Sequence, residues 1–321
     1  MRLKLFSLTE GAAFAHRVAV QLREPLVPHE ERSFEDGEHK LRPLDDVEGA
    51  DVYLIQSLHS GADSSVHDKL VKLLFFIATL RDAGATRVTA VIPYLCYGRK
   101  DRRTKARDPL SSRYLADLFQ AVGTDCVITL DAHNLAAFEN AFRCRTLHLQ
   151  ARSFFVDFTA SQLASIQAPL VVASPDIGGV KRAEAFRLAL AERLRRPLGH
   201  AFVEKYRSNG QLTGGTLVGE VQGATVLIVD DLIAGGGTMI RAAEALGQAG
   251  ASEVYAFASH GQFCDNALAR LSALPLRGLV VTNSLPQSTQ TSSLTVIDCA
   301  PLIAEAIGRL HRGGPAAELS P

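Results

Sequence analysis

Short, nearly uninterrupted apolar runs recur along the chain between longer stretches of helical periodicity, and this rhythm limits the fold more than any other feature. Asp51–Ile55 (DVYLI), Arg87–Ile92 (RVTAVI), Cys126–Leu130 (CVITL) and Thr225–Val229 (TVLIV) have few polar positions. They have the pattern of strands buried on both faces of a parallel sheet, not the alternation of a half-exposed antiparallel one. Leu3–Phe6, Leu170–Ala173, Ala201–Val203 and Glu253–Ala258 read as further strands. From Asp63 to Ala83, Val66, Leu70, Leu73, Ile77 and Leu80 recur at three- and four-residue steps. That spacing predicts a helix, with Asp63 or Ser64 as its cap and Gly84 as its stop. Helices are also expected over about Glu10–Leu22, Gly179–Arg195 and Thr238–Gln248.

At 321 residues the chain exceeds a usual single domain, and the rhythm runs through it twice. The expectation is an α/β protein of two tandem, related domains, each a mostly parallel sheet covered by helices. They are placed at residues 1–153 and 154–298, with a helix near 300–311 packing back on the first and a mobile tail at 312–321. The small and polar stretch Asp157–Pro169 is the linker candidate. In such sheets, ligands bind beyond the carboxyl ends of the strands.

Composition narrows the function. Thirty-four basic residues balance 34 acidic ones, so no cationic excess gathers the phosphates of a nucleic acid or an acidic membrane. A hydrophobic content of 47% suits a packed core and not disorder. The five cysteines are scattered, without zinc-type spacing, which points to a reducing compartment. No apolar run approaches the ~18 residues needed to cross a bilayer, and the apolar start is too short for a signal peptide. A soluble cytoplasmic protein is expected.

The most specific segment is Val226–Thr238, VLIVDDLIAGGGT. A buried strand delivers Asp230 and Asp231 to its carboxyl end, and a glycine-rich turn then opens a helix. Ala234, Gly235, Gly236 and Gly237 leave successive amides approachable, and Thr238 adds a hydroxyl, forming a cradle for phosphate. Two carboxylates beside it would repel a bare phosphate. They fit a ligand that also carries vicinal hydroxyls or a magnesium ion, and ribose 5-phosphate meets that description. Neither GxxxxGK[ST] nor GxGxxG occurs, so the usual triphosphate and dinucleotide loops are excluded. Arg99, Lys100, Arg102, Arg103, Lys105 and Arg107 put six cations into nine positions after a strand, a set able to hold a triphosphate or to line a solvated basic loop. His133 and Asp176 follow apolar strands, where an imidazole and a carboxylate suit a largely hydrated magnesium ion or ordinary structural hydrogen bonds.

The acid-acid, Gly-Gly-Thr loop is similar to the phosphoribosyl-diphosphate loop of phosphoribosyltransferases and ribose-phosphate pyrophosphokinases. Further segments resemble the pyrophosphokinases specifically. Phe34-Glu-Asp-Gly-Glu38 resembles FSDGE, Ile92–Arg103 resembles IPYxxYxRQDR, Leu130–His133 resembles LDLH, and Ser174–Val180 resembles SPDxGGV. Val281–Ser284 and Pro301–Ile307 resemble C-terminal segments of that family, and all matches run in family order from about residue 30 to residue 311. The resemblance implies phosphoribosyltransferase-like domains and transfer of the β,γ-diphosphoryl group of Mg-ATP to the C1 hydroxyl of ribose 5-phosphate, giving phosphoribosyl diphosphate and AMP. It implies ATP contacts at Arg99, Lys100 and Asp101, with Lys100 standing where the family has Gln. Phe34, Asp36, Gly37 and Glu38 would recognise adenine from a neighbouring subunit, so a dimer-based oligomer, of hexamer size, is implied. His133 and Asp176 would contact Mg2+. Lys205 and Arg207, after a short strand and before a polar loop at Ser208–Gly215, match the family's catalytic pair on a flexible loop, with Arg207 also near the ribose 5-phosphate held by Asp230, Asp231 and residues 234–238.

Two departures stand out. The family loop reads DDxxDTGGT, so Ala234 and Gly235 replace an acid and a hydroxyl. The stretch where relatives use Ser and Arg to bind regulatory phosphate reads Pro43-Leu-Asp-Asp-Val-Glu-Gly49, which predicts weak or absent phosphate activation. The rival readings are a phosphoribosyltransferase, which has no use for the Phe34–Glu38 and Arg99–Arg103 segments, and a catalytically weak regulatory subunit of a synthetase complex.

Overall fold

The apolar runs pair with one another as parallel strands. A computed structural model describes residues 1–61, 64–163, 166–208, 211–287, 289, 291–316 and 319, with the backbone alone at 205–208 and 211–215. It divides into two compact units: Met1–Gln150 with Ser284–Pro286 and the chain from Asp298 onward, and Ala151–Asn283 with Gln287–Ile297.

The first unit contains β1 (Leu3–Ser7), α1 (Ala12–Leu22), β2 (His29–Ser33), β3 (His39–Pro43), β4 (Asp51–Ile55), α2 (Val66–Asp82), β5 (Arg87–Ile92), α3 (Ser111–Ala121), β6 (Cys126–Leu130), α4 (Leu135–Ala141) and β7 (Arg145–Leu149). Its sheet has the order β1-β4-β5-β6-β7, every pair parallel. Every residue of β4 and β6 is buried, as their unbroken apolar pattern requires. Helix α2 starts later than its periodicity suggests. Its cap is Ser65, not Ser64, and Asp63 lies outside the described residues. Ser65 Oγ accepts from the Asp68 amide at 3.2 Å while the Asp68 carboxylate accepts from the Ser65 amide at 2.8 Å, a reciprocal box that fixes the first turn.

The second unit contains α5 (Arg152–Leu163), β8 (Leu170–Ser174), α6 (Val180–Leu194), β9 (Gly199–Ser208), β10 (Gln211–Val218), β11 (Thr225–Ile233), α7 (Gly237–Gln248), β12 (Glu253–Gly261), α8 (Ala267–Ser272), β13 (Gly278–Thr282) and β14 (Leu294–Ile297). Its seven-stranded sheet runs β10-β9-β8-β11-β12-β13-β14, antiparallel only between β9 and β10. Three sequence expectations change here. The linker candidate Asp157–Pro169 is largely helix α5, whose Phe155, Val156, Thr159, Ala160 and Leu163 are buried, with Phe155 and Phe158 meeting Phe257 edge-on at 5.6 and 6.2 Å. Strand β9 far outruns Ala201–Val203, and the Gly-rich stretch taken as a loop pairs back as β10. An edge hairpin satisfies its backbone without a continuous apolar pattern. Strand β11 continues through both aspartates, since Asp230 pairs with Ala258 and Ile233 with Gly261 on β12.

The two units repeat one plan. In each, a strand, a helix and an antiparallel hairpin lead into a strand that pairs beside the first: β1–α1–β2/β3–β4 and β8–α6–β9/β10–β11. Helix α9 (Ala300–His311) belongs to the first unit and packs against α1. The tail expected to be mobile begins by folding back on α9: Gly314 N donates to Arg309 O at 2.8 Å and Ala316 is buried. Among the described residues, no helix is long and apolar enough to cross a membrane.

Candidate functional site

In the second unit, β11 carries Asp230 and Asp231 toward its carboxyl end. Arg182, from α6, spans them: Nη1 lies 3.0 Å from Asp230 Oδ1 and Nη2 3.0 Å from Asp231 Oδ1. Burial pushes the Asp230 carboxyl well above the ordinary carboxylate range, Asp231 beside it adds to the rise, and Arg182 opposes it. The turn that follows requires glycine at Gly236, with φ at +73° and only 3.2 Å between an added Cβ and that of Ala267. At Gly235 an added Cβ would meet nothing within 4 Å, so this face of the loop is open to a ligand. The first helical bond of α7 runs from Ile240 N to Gly236 O at 2.9 Å. The amides of Gly237, Thr238 and Met239 therefore precede the intrahelical ladder, as in a phosphate-binding helix start. Two guanidinium groups edge the loop. Arg270 Nη1 donates to Gly235 O at 3.3 Å, and Arg241 Nη1 lies 3.2 Å from where a Cβ on Gly237 would be.

Asp176 follows β8 and caps a 3-10 turn over Ile177–Gly179, its Oδ1 accepting from Gly179 N at 3.2 Å. Lys205 and Arg207 lie within β9, paired with Gly215 and Leu212 of β10; their side chains are outside the described ones.

In the first unit, Phe34–Glu38 forms the turn of the β2–β3 hairpin. Phe34 N donates to Glu38 O at 2.8 Å, Gly37 N to Phe34 O at 3.1 Å, and Glu38 N to Asp36 Oδ1 at 3.0 Å. Gly37 has φ +89°, a conformation that favours glycine. The Arg32 guanidinium sits 4.9 Å from the Phe34 ring centroid. Glu31 fastens the hairpin's base, accepting from Thr9 N at 2.9 Å, Thr9 Oγ1 at 2.8 Å and Lys72 Nζ at 3.0 Å.

The basic loop after β5 is built around Asp108. Its Oδ2 accepts from Lys100 Nζ (2.7 Å), Thr104 N (3.0 Å), Thr104 Oγ1 (2.7 Å) and Lys105 N (3.0 Å). Lys100 above all, then Thr104, holds the Asp108 carboxyl well below the usual range. Arg99, Arg102, Arg103, Lys105 and Arg107 remain exposed. Asp101 Oδ2 accepts from Asn134 Nδ2 at 2.6 Å, and Asn134 caps α4. That contact brings the basic loop beside exposed His133, whose Cβ lies 3.8 Å from where one on Gly98 would be. Among the described residues, no group of three or more His, Cys, Asp or Glu could by itself hold a metal ion. Sequence reasoning missed Arg182, Arg241, Arg270, Asp108 and Asn134 as parts of these sites. A cation early in a helix whose first turn has no acid was a usable signal for Arg182 and Arg241.

Residues 3–123 match the family model described as the N-terminal domain of ribose phosphate pyrophosphokinase, and residues 209–319 match the phosphoribosyl synthetase-associated domain. The ribose-phosphate pyrophosphokinase of Caldanaerobacter subterraneus subsp. tengcongensis is 36% identical over 97% of this chain and 95% of its own length. Ribose-phosphate pyrophosphokinase 1, chloroplastic, of Arabidopsis thaliana is 36% identical over 97% of this chain and 75% of its own. The crystal structure of phosphoribosylpyrophosphate synthetase from Mycobacterium smegmatis superposes with a TM-score of 0.89 at 31% identity, covering 98% of this chain and all of that one. The α/β architecture, the motifs in their order and this full-length likeness agree: the chain belongs to the ribose-phosphate pyrophosphokinase family.

Proposed function

We propose that this chain is a ribose-phosphate diphosphokinase, transferring the β,γ-diphosphoryl group of ATP to the C1 hydroxyl of ribose 5-phosphate, with AMP as the second product. The observation that carries the reading is the loop after β11: two aspartates on the strand, then an open glycine turn onto a helix start edged by arginines. The 5-phosphate rests on the amides of residues 235–238, and Asp230 and Asp231 accept hydrogen bonds from the ribose hydroxyls. This fixes the C1 oxygen for in-line attack on the β-phosphorus, and positioning and charge neutralisation carry the catalysis. Arg99 and its exposed neighbours hold the triphosphate, while Lys100, paired to Asp108, shapes the loop that presents them. Lys205 and Arg207, on the β9–β10 hairpin, offset charge spreading onto the transferred group.

Magnesium fits these residues. His133, an exposed imidazole of the first unit, and Asp176, a carboxylate of the second, would each offer one ligand to a largely hydrated magnesium ion. When bound, it neutralises charge on the β- and γ-phosphates. Phe34, Asp36, Gly37 and Glu38 read adenine on a neighbouring subunit, so the working form is a dimer-based oligomer, of hexamer size, in the cytoplasm. The phosphoribosyltransferase alternative leaves the Phe34–Glu38 turn and the basic loop without a role.

Purified protein given magnesium, ATP and ribose 5-phosphate should release AMP one-for-one with phosphoribosyl diphosphate. Formation of ADP, or no turnover, would reject the proposal.

A further inference from the structure

The loop after β11 has lost an acid and a hydroxyl relative to the family pattern, at Ala234 and Gly235, yet two guanidinium groups lie against it. Arg270 is engaged with the Gly235 carbonyl. Arg241 is different. It is exposed, and among the described residues its guanidinium makes no hydrogen bond or ion pair. The side chain reaches back along α7 until Nη1 is 3.2 Å from the Cβ position of Gly237, the first residue of the helix.

A cation is poorly placed there. The amino end of a helix carries the positive end of its dipole and its unbonded amides, so carboxylates are favoured and guanidinium groups are not. The first turn of α7 contains no acidic residue to compensate. Arg182 is already committed to Asp230 and Asp231, so it does not share the load. Glu244 lies one turn further along α7, and among the described residues no carboxylate forms an ion pair with Arg241, so an anion arriving as a ligand at the same amides would meet it.

Resting on the proposed function, we infer that Arg241 is a further substrate-binding residue, donating charge-assisted hydrogen bonds to the 5-phosphate of ribose 5-phosphate from the side of the helix. It adds a side-chain donor to a loop in which Gly235 supplies no hydroxyl. The site thereby selects phosphorylated over unphosphorylated ribose through a guanidinium as well as through main-chain amides.

The test compares wild type, Arg241→Gln and Arg241→Lys by steady-state kinetics and by thermal unfolding with and without ligand. Arg241→Gln should raise the KM for ribose 5-phosphate about tenfold or more, the loss of a charge-assisted contact. The KM for ATP and kcat at saturation should hold, and Arg241→Lys should recover part of the loss. Without ligand, Arg241→Gln should unfold at the same or a higher temperature than wild type. Its stabilisation by added ribose 5-phosphate should shrink, while the response to unphosphorylated ribose stays the same. An unchanged KM and thermal shift for ribose 5-phosphate, in an enzyme whose wild type turns over, would overturn the inference and leave the proposed function standing. An equal rise in both KM values would overturn it too, as a loss of structure. Absence of turnover and of any ribose 5-phosphate shift in wild type would instead bring down the underlying function and this inference with it.

Discussion

Lys100 and Asp108 close the basic loop on itself, Nζ to Oδ2 at 2.7 Å. The same oxygen gathers two backbone amides and the Thr104 hydroxyl, so one carboxylate shapes the segment that presents the exposed arginines. Asp108→Ala should raise the KM for ATP about threefold to tenfold, since several hydrogen bonds of modest net worth are lost together. The KM for ribose 5-phosphate should be unaffected. Because the Asp108 carboxyl is held well below its ordinary value, the loop should keep its order as pH falls through the usual carboxylate range and lose it only at more acidic pH. Limited proteolysis between residues 100 and 108 across a pH series reads this directly.

Asp230 lies beside a second carboxylate, Asp231, with Arg182 3.0 Å from each. Burial and the neighbouring Asp231 make the folded protein hold a proton on Asp230 more tightly than the unfolded chain does. That preference favours folding below the ordinary carboxylate range and is lost as pH rises through the elevated folded value. Asp230→Asn should therefore raise the unliganded Tm by about 2–4 °C at pH 8, the shift for roughly 1 kcal/mol. The gain should narrow toward pH 5. Turnover should fall by about two orders of magnitude or more with the loss of a group that positions the sugar. Calorimetry and the AMP assay on one preparation measure both sides of this trade-off.

The C-terminal helix is fastened to the first sheet through a buried carboxylate. Asp51, fully buried, accepts from Arg87 Nε at 2.6 Å and from the Tyr53 hydroxyl at 3.1 Å, and lies 2.6 Å from His311 Nδ1. Arg87 also donates to Leu310 O at 3.2 Å. Arg87→Ala strands that charge and should destabilise the unit by about 3 kcal/mol or more. His311→Ala removes one partner of several and should cost about 1–2 kcal/mol. Urea denaturation of the two variants should show that order.

The acidic stretch Pro43–Gly49 offers an anion little. Asp45 is paired with Lys4, Asp46 with Arg2 at 3.1 Å, and Arg2 also donates to Glu48 O. The nearby cations are thus taken by the chain's own acids. Initial rates across an inorganic phosphate titration should stay flat; strong activation would contradict this.

The sequence was most legible where burial leaves a simple pattern. Asp51–Ile55, Arg87–Ile92 and Cys126–Leu130 are strands to the residue, since a strand buried on both faces shows unbroken apolar character. Strand β11 was cut short because Asp230 and Asp231 looked like a strand end, although backbone pairing continues to Ile233 regardless of side-chain polarity. Helix α5 passed for a linker because Thr159 interrupts its buried face and polar Ser161 and Gln162 follow on the exposed one, and the Gly-rich β9–β10 hairpin passed for a loop. The glycine loop itself was readable from residue order. The contacts of Arg182, Asp108 and Asn134 were not, because they come from neighbours tens of residues away or from the folding of a turn, and no local spacing encodes that.

The most direct measurement follows the phosphorus atoms. Protein incubated with magnesium, ribose 5-phosphate and ATP labelled at its β-phosphorus should place the label in the diphosphate on C1 of the sugar and leave AMP unlabelled. Label retained in ADP, or released as free diphosphate without a sugar product, would contradict the account.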